Sequence, residues 1–304
     1  MKRVLAVVGA GLMIIVAILV RSAIDDDGGS GDGGDGNSSE PVRIVCVTEL
    51  RDVCRALDNT EIADAGATVT ALGTGDLDAD AWLTFEPWPE IADIDQGTVV
   101  ASTQLAVVIW KDREDELLQH ACSGRITWRC LGEAGGRPWA DIGSPLRGDV
   151  EIGLPPVSQA SGLLLLGYAA AGYFETTDYG TNDIAIDDAF APWLRGITSG
   201  AADDDPLNRM LTVGKAAYAA VGTIGAKANH LGAHEDEVRI LYPAPGATVR
   251  VVLAPAKGAN VRAVERLAGS DDLRDALEDQ GYDVPAAKAT GLPGAGVLSA
   301  MRAL

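Results

Sequence analysis

The chain has 304 residues, of which 47% are hydrophobic and 22% are charged. This balance is typical of a globular protein with one large or two modest domains, and it excludes a disordered chain or a disulfide-only miniprotein. The 44 acidic residues against 24 lysines and arginines give a formal net charge of −20, which argues against a nucleic-acid partner because a surface of that sign repels phosphate.

The N-terminus contains a membrane-segment pattern. Residues 4–20 are 17 consecutive apolar or glycine residues, preceded by Lys2 and Arg3. As a helix they would rise roughly 26 Å, which just spans a bilayer. The run lacks a small-x-small cleavage site, so residues 1–24 are predicted to be an uncleaved signal anchor, with a cleaved secretory signal as the alternative. The basic N-terminus predicts a single-pass protein of the cell membrane whose folded part is extracellular.

The next segment, residues 25–40, contains only Asp, Glu, Gly, Ser and Asn. Such a composition has no apolar side chains with which to build a core, so a disordered acidic linker is expected. It would hold the folded part clear of the lipid headgroups.

The cysteine pattern agrees with export. The four cysteines form two pairs, each separated by eight positions, and an even number of cysteines outside the cell indicates disulfides. We predict the bonds Cys46–Cys54 and Cys122–Cys130, with four free buried thiols as the alternative. The spacings are too wide for a structural zinc site.

The exported part shows strand and helix patterns in alternation. Short runs of apolar, aromatic and β-branched residues predict strands at 42–47, 67–72, 81–85, 99–110, 150–154, 217–221, 238–241 and 249–253. Apolar residues at helical spacing predict helices at 50–57, 111–120, 161–173, 187–197, 206–211, 261–267 and 271–280. The alternation predicts an α/β architecture with mostly parallel strand pairing. In the tail, 286–304, one short helix is expected at 297–304, which either caps the fold or binds a partner.

The order of these elements resembles the type II periplasmic solute-binding proteins, in particular the molybdate and sulfate receptors. The matching stretches are VRIVCVTELRDVCRAL (42–57), DADAWLTFEPWPEIAD (78–93), TQLAVVIWKD (103–112), WADI (139–142) with DVEIGLPP (149–156), GKAAYAAVGTIGAKA (214–228) and ILYPAPGATVRVVLAP (240–255). The resemblance implies a two-lobed α/β fold with a hinge. Lobe 1 would comprise 41–102 plus 242–285 and lobe 2 would comprise 103–241, with hinges near Thr103 and Leu241–Tyr242.

The resemblance also implies a solute in the cleft between the lobes, and general physics agrees. Ligands of open α/β sheets lie beyond the carboxyl ends of strands, where helix N-termini present unpaired N–H groups. Applied to this chain, that rule selects the ligand-binding candidates Thr48, Glu49, Thr84, Glu86, Trp88, Thr103, Ser158, Ser161 and Thr223. The hydroxyl-bearing candidates are equally suited to capping helices and ending strands, and Trp88 beside two prolines equally suits a loop anchor.

Glu49 departs from the family pattern. The oxyanion receptors have a serine at the start of the first helix, and Glu49 stands at the matching position. Its carboxylate would repel an anion at contact distance. The sequence therefore predicts a neutral or cationic solute, or else a cleft that has become a protein-binding surface.

Taken together, the sequence predicts a membrane-tethered extracellular receptor that captures a small polar solute between two lobes for an ABC-type importer. The alternative is a surface interaction module on the same fold with no transport role. No enzyme is expected, because the chain lacks a Gly-x-Ser-x-Gly elbow and the predicted disulfides leave no free cysteine as a nucleophile. His230 and His234 lie four apart but have no evident third ligand, so neither a metal nor a cofactor is expected.

Overall fold

A computed structural model describes residues 41–200 and 204–303. The predicted anchor, 1–24, and the predicted linker, 25–40, lie outside these residues. Pro41–Leu304 forms one compact unit. Within the described part of the chain, no helix is long and apolar enough to cross a membrane.

The described residues contain one mixed sheet of eight strands. The strands are β1 (Ile44–Val47), β2 (Thr60–Ala63), β3 (Ala81–Phe85), β4 (Thr98–Trp110), β5 (Ile152–Gly153), β6 (Ala220–Ile224), β7 (Val238–Leu241) and β8 (Ala247–Pro255). Their order is β2-β1-β3-β8-β4-β6-β5, and β7 also pairs with β4. The predicted α/β class is confirmed.

The expected parallel pairing is wrong for the middle of the sheet. Strand β1 pairs in parallel with β2 and β3, and β5 pairs in parallel with β6. By contrast, β4 is antiparallel to β6, β7 and β8, and β8 is antiparallel to β3. The alternation of strands and helices does not reveal this, because strands that return through the sheet between its two halves run against their neighbours.

Strand β4 joins two halves of the sheet. Its residues from Thr98 to Leu105 pair with β8, and those from Leu105 to Trp110 pair with β6 and β7. One half therefore holds β1, β2, β3 and β8, and the other holds β5, β6 and β7. The chain returns between them through residues 242–246, which connect β7 to β8. This is a mixed α/β, two-lobed arrangement, and the exact lobe bounds and hinge positions stay predictions.

Helices cover the sheet on both sides of this division. They are α1 (Arg51–Arg55), α2 (Ala65–Thr74), α3 (Trp88–Ile91), α4 (Lys111–His120), α5 (Trp128–Ala134), α6 (Ala160–Phe174), α7 (Thr181–Ile186), α8 (Phe190–Ile197), α9 (Pro206–Val213), α10 (Gly225–Ala228), α11 (Val261–Ala268), α12 (Asp271–Asp279) and α13 (Ala295–Met301). Every residue of α6 except Phe174 is buried. The long apolar run therefore forms the central helix of the core.

The strand predicted at 67–72 is wrong, because this segment lies inside helix α2. Its threonines suggested a strand, but their hydroxyls donate to backbone carbonyls one turn earlier. Thr68 donates to Asp64 at 3.0 Å, and Thr70 donates to Gly66 at 3.0 Å. These bonds accommodate β-branched side chains in a helix. The neighbouring strand β2 was not predicted at all.

Both predicted disulfides are present. Cys46 in β1 is bonded to Cys54 in α1, and Cys122 is bonded to Cys130. The first bond closes the turn that carries Thr48 and Glu49, and the second closes the connection between α4 and α5. The prediction of two local disulfides is confirmed.

The C-terminal tail packs on the core. Leu298 and Met301 of α13 are buried, and Leu298 lies over Gly167 of α6. A Cβ atom added at Gly167 would lie 2.4 Å from Leu298 Cδ2, so the glycine makes room for the tail. Of the two expectations for the tail, the structure agrees with the cap.

Candidate functional site

The turn after β1 carries a buried carboxylate. A 3-10 turn, Thr48–Leu50, follows the strand directly, and only 9% of Glu49 is exposed. Its Oε1 atom accepts a hydrogen bond from the backbone N–H of Ser161 at 2.5 Å. Its Oε2 atom accepts one from the Thr48 hydroxyl at 3.2 Å. A side chain of the first turn therefore reaches the start of helix α6.

The start of α6 is suited to a negative group. The first N–H groups of a helix have no partner within it, and the helix dipole favours negative charge at that end. The residue before the helix, Gln159, makes no side-chain cap. The backbone of Pro155 and Pro156 passes so close that a Cβ atom on Gly162 would lie 2.0 Å from the Pro156 carbonyl oxygen. Glu49 therefore supplies the cap that the local sequence does not.

A small cavity lies beside this contact. Its volume is about 10 Å³, and it is lined by Glu49, Gln159, Ser161, Thr223 and Lys227, among others. Gln159, Ser161 and Thr223 are 6%, 4% and 5% exposed. Within the described part of the chain, none of these three side chains makes a hydrogen bond. Their polar atoms are not among the fully buried atoms that lack a partner, so these atoms face the cavity. Three such groups with free hydrogen-bonding capacity around one cavity mark it as a candidate binding site.

A larger cavity of about 260 Å³ adjoins the small one. The two cavities share Glu49, Asp205, Leu207 and Lys227. The further lining residues of the larger cavity are Asp52, Val53, Asn208, Leu211, Ala226, His230, Gln280 and Tyr282. The cavity thus combines apolar walls with charged and polar groups, which is typical of a small-molecule site.

The electrostatics of the larger cavity are acidic. Three carboxylates, those of Glu49, Asp52 and Asp205, line it against one ammonium, that of Lys227. Lys227 Nζ lies 3.5 Å from Asp205 Oδ2. Burial raises the pKa of the Tyr282 phenol well above its usual value, and the negative charges of Glu49 and Asp52 raise it further. A positive group entering this cavity would therefore be favoured.

Comparison with known proteins gives structural neighbours only. No family model matches the chain, and no curated protein matches it in sequence. Among solved structures, iron-bound HitA from Pseudomonas aeruginosa is similar, with a TM-score of 0.53 and 13% identity over 87% of this chain and 100% of that one. The sulfate-binding protein SubI from Mycobacterium tuberculosis has a TM-score of 0.51 and 12% identity over 86% and 90% of the two chains. The fold is that of the type II periplasmic solute-binding proteins.

A third neighbour agrees on this fold. The periplasmic binding protein AfuA from Actinobacillus pleuropneumoniae, whose structure has exogenous fructose-6-phosphate bound, has a TM-score of 0.51 and 13% identity over 86% and 93% of the two chains. Likeness at this level of identity concerns the fold alone, so the periplasmic-binding-protein fold is established while the molybdate and sulfate branch is not.

Part of the predicted site comes together in this fold. Glu49, Ser161 and Thr223 line the small cavity, and Thr48 is hydrogen-bonded to Glu49. Thr103 lies just outside, where its hydroxyl accepts a hydrogen bond from the N–H of Ala226 at 3.0 Å. That bond ties β4 to the start of α10.

The structure does not bring Glu86 and Ser158 to these cavities. Glu86 accepts two hydrogen bonds from the Arg250 guanidinium, each 2.7 Å long, and lines a separate cavity of about 220 Å³ beside the tail. Ser158 is exposed, and its carbonyl accepts from the N–H of Gly66 at 2.8 Å. Sequence position at a strand end does not reveal such partners on other elements.

Thr84 and Trp88 are also away from the two cavities, because both are fully buried. The Trp88 indole N–H donates to the carbonyl of Ala160 at 3.2 Å, so the indole is hydrogen-bonded to the first residue of α6. The Thr84 hydroxyl has no hydrogen-bond partner among the described residues. Of the two readings of Trp88, the structure agrees with a buried anchor.

Several lining residues were missed by the sequence analysis. Gln159 sits between two predicted candidates, and Lys227 follows Thr223 by four positions in the segment GTIGAKA. Asp52 and Asp205 gave no signal, since acidic residues are common throughout the chain. Tyr282 follows helix α12, and its position in the wall of the larger cavity depends on long-range packing.

The two spaced histidines have separate partners. His230 Nδ1 lies 2.8 Å from the Ala226 carbonyl oxygen, and its side chain lines the larger cavity. His234 Nδ1 lies 3.5 Å from Glu237 Oε2, and its ring packs edge-on against Trp110. Their spacing reflects two different structural roles in this fold.

Proposed function

We propose that the protein is a solute-binding receptor that captures a small polar solute between the two halves of its sheet and delivers it to an ABC-type importer. One observation carries the proposal: Gln159, Ser161 and Thr223 are buried, have unused hydrogen-bonding capacity and surround one cavity with Glu49. A solute with polar groups could pair with all three side chains and use this hydrogen-bonding capacity. The fold shared with sulfate-, iron- and sugar-phosphate-bound proteins supports the proposal.

The solute we propose is not a tetrahedral oxyanion. In this chain the position at the N-terminus of α6 that suits an anion is taken by the carboxylate of Glu49. An oxyanion there would have to displace Glu49 and would meet its charge. A neutral or cationic solute is therefore favoured over molybdate or sulfate.

We further propose that residues 1–24 anchor the receptor in the cell membrane with its folded part outside the cell. The apolar run 4–20 and its basic flank support this arrangement. In cells, the full chain should remain with membranes after an alkaline carbonate wash, and deletion of residues 1–24 should release it. Release of the full chain by the wash would contradict the anchor.

The solute function is tested by ligand screening of the full-length chain in detergent. Native mass spectrometry detects a co-purified molecule, and intrinsic tryptophan fluorescence reports thermal shifts with amines, amino acids, sugars and oxyanions. We expect at least one class to raise the melting temperature, since a ligand stabilises the state that it binds.

Two threonine variants test whether the thermal shift caused by the solute arises at the small cavity. Thr223→Val removes the hydroxyl from the small cavity at nearly constant volume, and Thr70→Val makes the same change on the exposed face of α2. The solute shift should fall strongly in Thr223→Val and persist in Thr70→Val. A chain that responds to no solute, or equally in both variants, would contradict the proposal and favour an interaction module.

A further inference from the structure

The small and larger cavities meet at Glu49, and their sizes differ greatly. The small cavity, about 10 Å³, has room for a group the size of one water molecule. The larger cavity, about 260 Å³, has room for a short organic body. A ligand that fills both therefore has a compact polar head and a larger, less polar remainder.

The small cavity offers acceptors to such a head. The hydroxyl oxygens of Ser161 and Thr223 and the amide oxygen of Gln159 can each accept a hydrogen bond. A primary ammonium has three N–H donors and no acceptor, and its size is close to that of water. The three buried side chains have this capacity unused, so an ammonium head matches their number and chemistry.

The charge of Glu49 adds to this match. One carboxylate oxygen accepts from the Ser161 N–H, and the other accepts from the Thr48 hydroxyl. Each carboxylate oxygen has a second acceptor site, and a charged partner makes the stronger hydrogen bond. Lys227 and Asp205 also line the small cavity, and their opposite charges, 3.5 Å apart, offset each other in part. An anionic head there would face the Glu49 carboxylate, and a neutral head would gain no charge pairing with it.

The larger cavity suits a body with apolar character. Val53, Leu207, Leu211 and Ala226 supply apolar walls. Asp52 adds negative charge, while the ammonium of Lys227 lies 3.5 Å from Asp205 Oδ2 and is partly neutralised there. The raised pKa of the Tyr282 phenol, caused first by burial and then by Glu49 and Asp52, agrees with a negative potential in this cavity.

We infer that the two adjoining cavities bind a primary amine. The ammonium of the amine would lie in the small cavity, among Glu49, Gln159, Ser161 and Thr223, and the rest of the molecule would lie in the larger cavity. This inference rests on the proposed solute function and names its ligand class. A free alkylamine and an amino acid share the ammonium head. They differ in a carboxylate, which Lys227 or His230 could meet in the larger cavity.

The test is isothermal titration of the full-length chain with four probes of similar body: n-butylamine, n-butanol, butyrate and the amino acid norvaline. We expect n-butylamine to bind at least tenfold more tightly than n-butanol or butyrate. Norvaline binding more tightly than n-butylamine would assign the source to amino acids, with the ammonium in the same place. Weaker binding of norvaline would assign it to simple amines.

Substitutions test whether amine binding depends on the side chains of the small cavity. Glu49→Gln should weaken amine binding at least tenfold, and Glu61→Gln, at an exposed carboxylate of β2, should leave it unchanged. Should Glu49→Gln fail to fold, Thr223→Val tests the same head group, again with an expected loss of at least tenfold. Amine binding that survives both changes overturns the inference.

Failure of the inference and failure of the proposed function look different. If a sugar or an oxyanion binds, is lost in Thr223→Val, and exceeds every amine in affinity, the receptor function stands and the amine assignment is wrong. If no solute of any class binds the full-length chain, both are wrong.

Discussion

The Oε1 atom of Glu49 lies 2.5 Å from the backbone nitrogen of Ser161, a residue 112 positions later in the chain. The carboxylate thereby caps α6, in which every residue except Phe174 is buried. The contact joins the turn after β1 to a helix that begins after β5, so it links elements of the two halves of the sheet. It also fills the position at which a helix N-terminus would otherwise attract an external anion.

Removing the charge of Glu49 should destabilise the fold modestly. Glu49→Gln keeps an acceptor for the Ser161 N–H but loses the interaction of a buried charge with the helix dipole. We expect the free energy of unfolding to fall by about 1–2 kcal/mol. Urea denaturation followed by tryptophan fluorescence measures this. Glu61→Gln is the control and should change stability by no more than about 0.5 kcal/mol. Equal losses in both variants would contradict the capping role.

Removing each disulfide in turn tests whether the Cys46–Cys54 bond positions Glu49, with the Cys122–Cys130 bond as the control. Each joins cysteines eight positions apart, so loop-closure entropy predicts a similar cost, about 2–3 kcal/mol, when either bond is removed by paired Cys→Ala changes. Only the loss of Cys46–Cys54 should also weaken solute binding, because only that bond closes the turn of Thr48 and Glu49. Melting temperature and titration with the solute found in the screen measure the two effects. Equal binding by both double variants would show that the first bond does not position Glu49.

The α/β class, most element positions and both disulfides followed from local signals. Short apolar runs with aromatic or β-branched residues located β3, β4 and β7, and the apolar run at 161–173 located α6. Local signals failed where a distant partner decides the structure. The Thr-rich segment of α2 has strand propensity, yet hydroxyl-to-carbonyl bonds hold it as a helix. The antiparallel centre of the sheet depends on the return of β8 through it, which spacing alone does not encode.

The site was predictable to the extent that it follows helix and strand ends. Glu49, Ser161 and Thr223 were identified by that rule, and the departure at Glu49 already argued against an oxyanion. The same rule selected Glu86 and Trp88, whose partners are Arg250 on an antiparallel strand and the Ala160 carbonyl. Long-range pairing of this kind requires the tertiary structure.

The ion pair of Glu86 should matter for stability and not for solute binding. The Glu86 carboxylate receives two hydrogen bonds from Arg250 in a partly buried place. Glu86→Gln should lower the free energy of unfolding by about 2 kcal/mol, since bonds between charged groups are stronger than neutral ones. Titration with the identified solute should give the wild-type affinity. A tenfold loss of affinity with unchanged stability would contradict this prediction and show that Glu86 contributes to solute binding.

Alkaline pH should lower the free energy of unfolding through Tyr168, a buried tyrosine of α6. Burial raises the pKa of the Tyr168 phenol to about 12, and its hydroxyl donates to the carbonyl of Pro243. In the unfolded chain the phenol ionises near pH 10, so its contribution is fully present below pH 10 and is lost as the pH rises through about 12. The loss amounts to about 3 kcal/mol.

Tyr168→Phe should therefore flatten the fall in unfolding free energy between pH 10 and 12. Urea denaturation at several pH values measures the slope. Thr70→Val is the control, because it changes an exposed position of α2 without adding or removing an ionisable group, and it should leave the slope unchanged. Identical slopes in wild type and Tyr168→Phe would mean that Tyr168 does not ionise on unfolding in this range.

Amide hydrogen exchange at Ser161 tests the central claim most directly, because the second residue of a helix has no acceptor within it. Among residues 41–200 and 204–303, the Ser161 N–H has the Glu49 carboxylate as its one hydrogen-bond partner. Residue-resolved exchange should show this amide protected in wild type and exchanging about tenfold faster in Glu49→Ala, as expected for a lost hydrogen bond of about 1.4 kcal/mol. Amides at the centre of α6 exchange through global unfolding, so they should accelerate only by the factor that the lower free energy of unfolding requires, whereas Ser161 should exchange by local opening. Equal exchange at Ser161 in the two proteins would contradict the bridge between Glu49 and α6, and with it the site built around that contact.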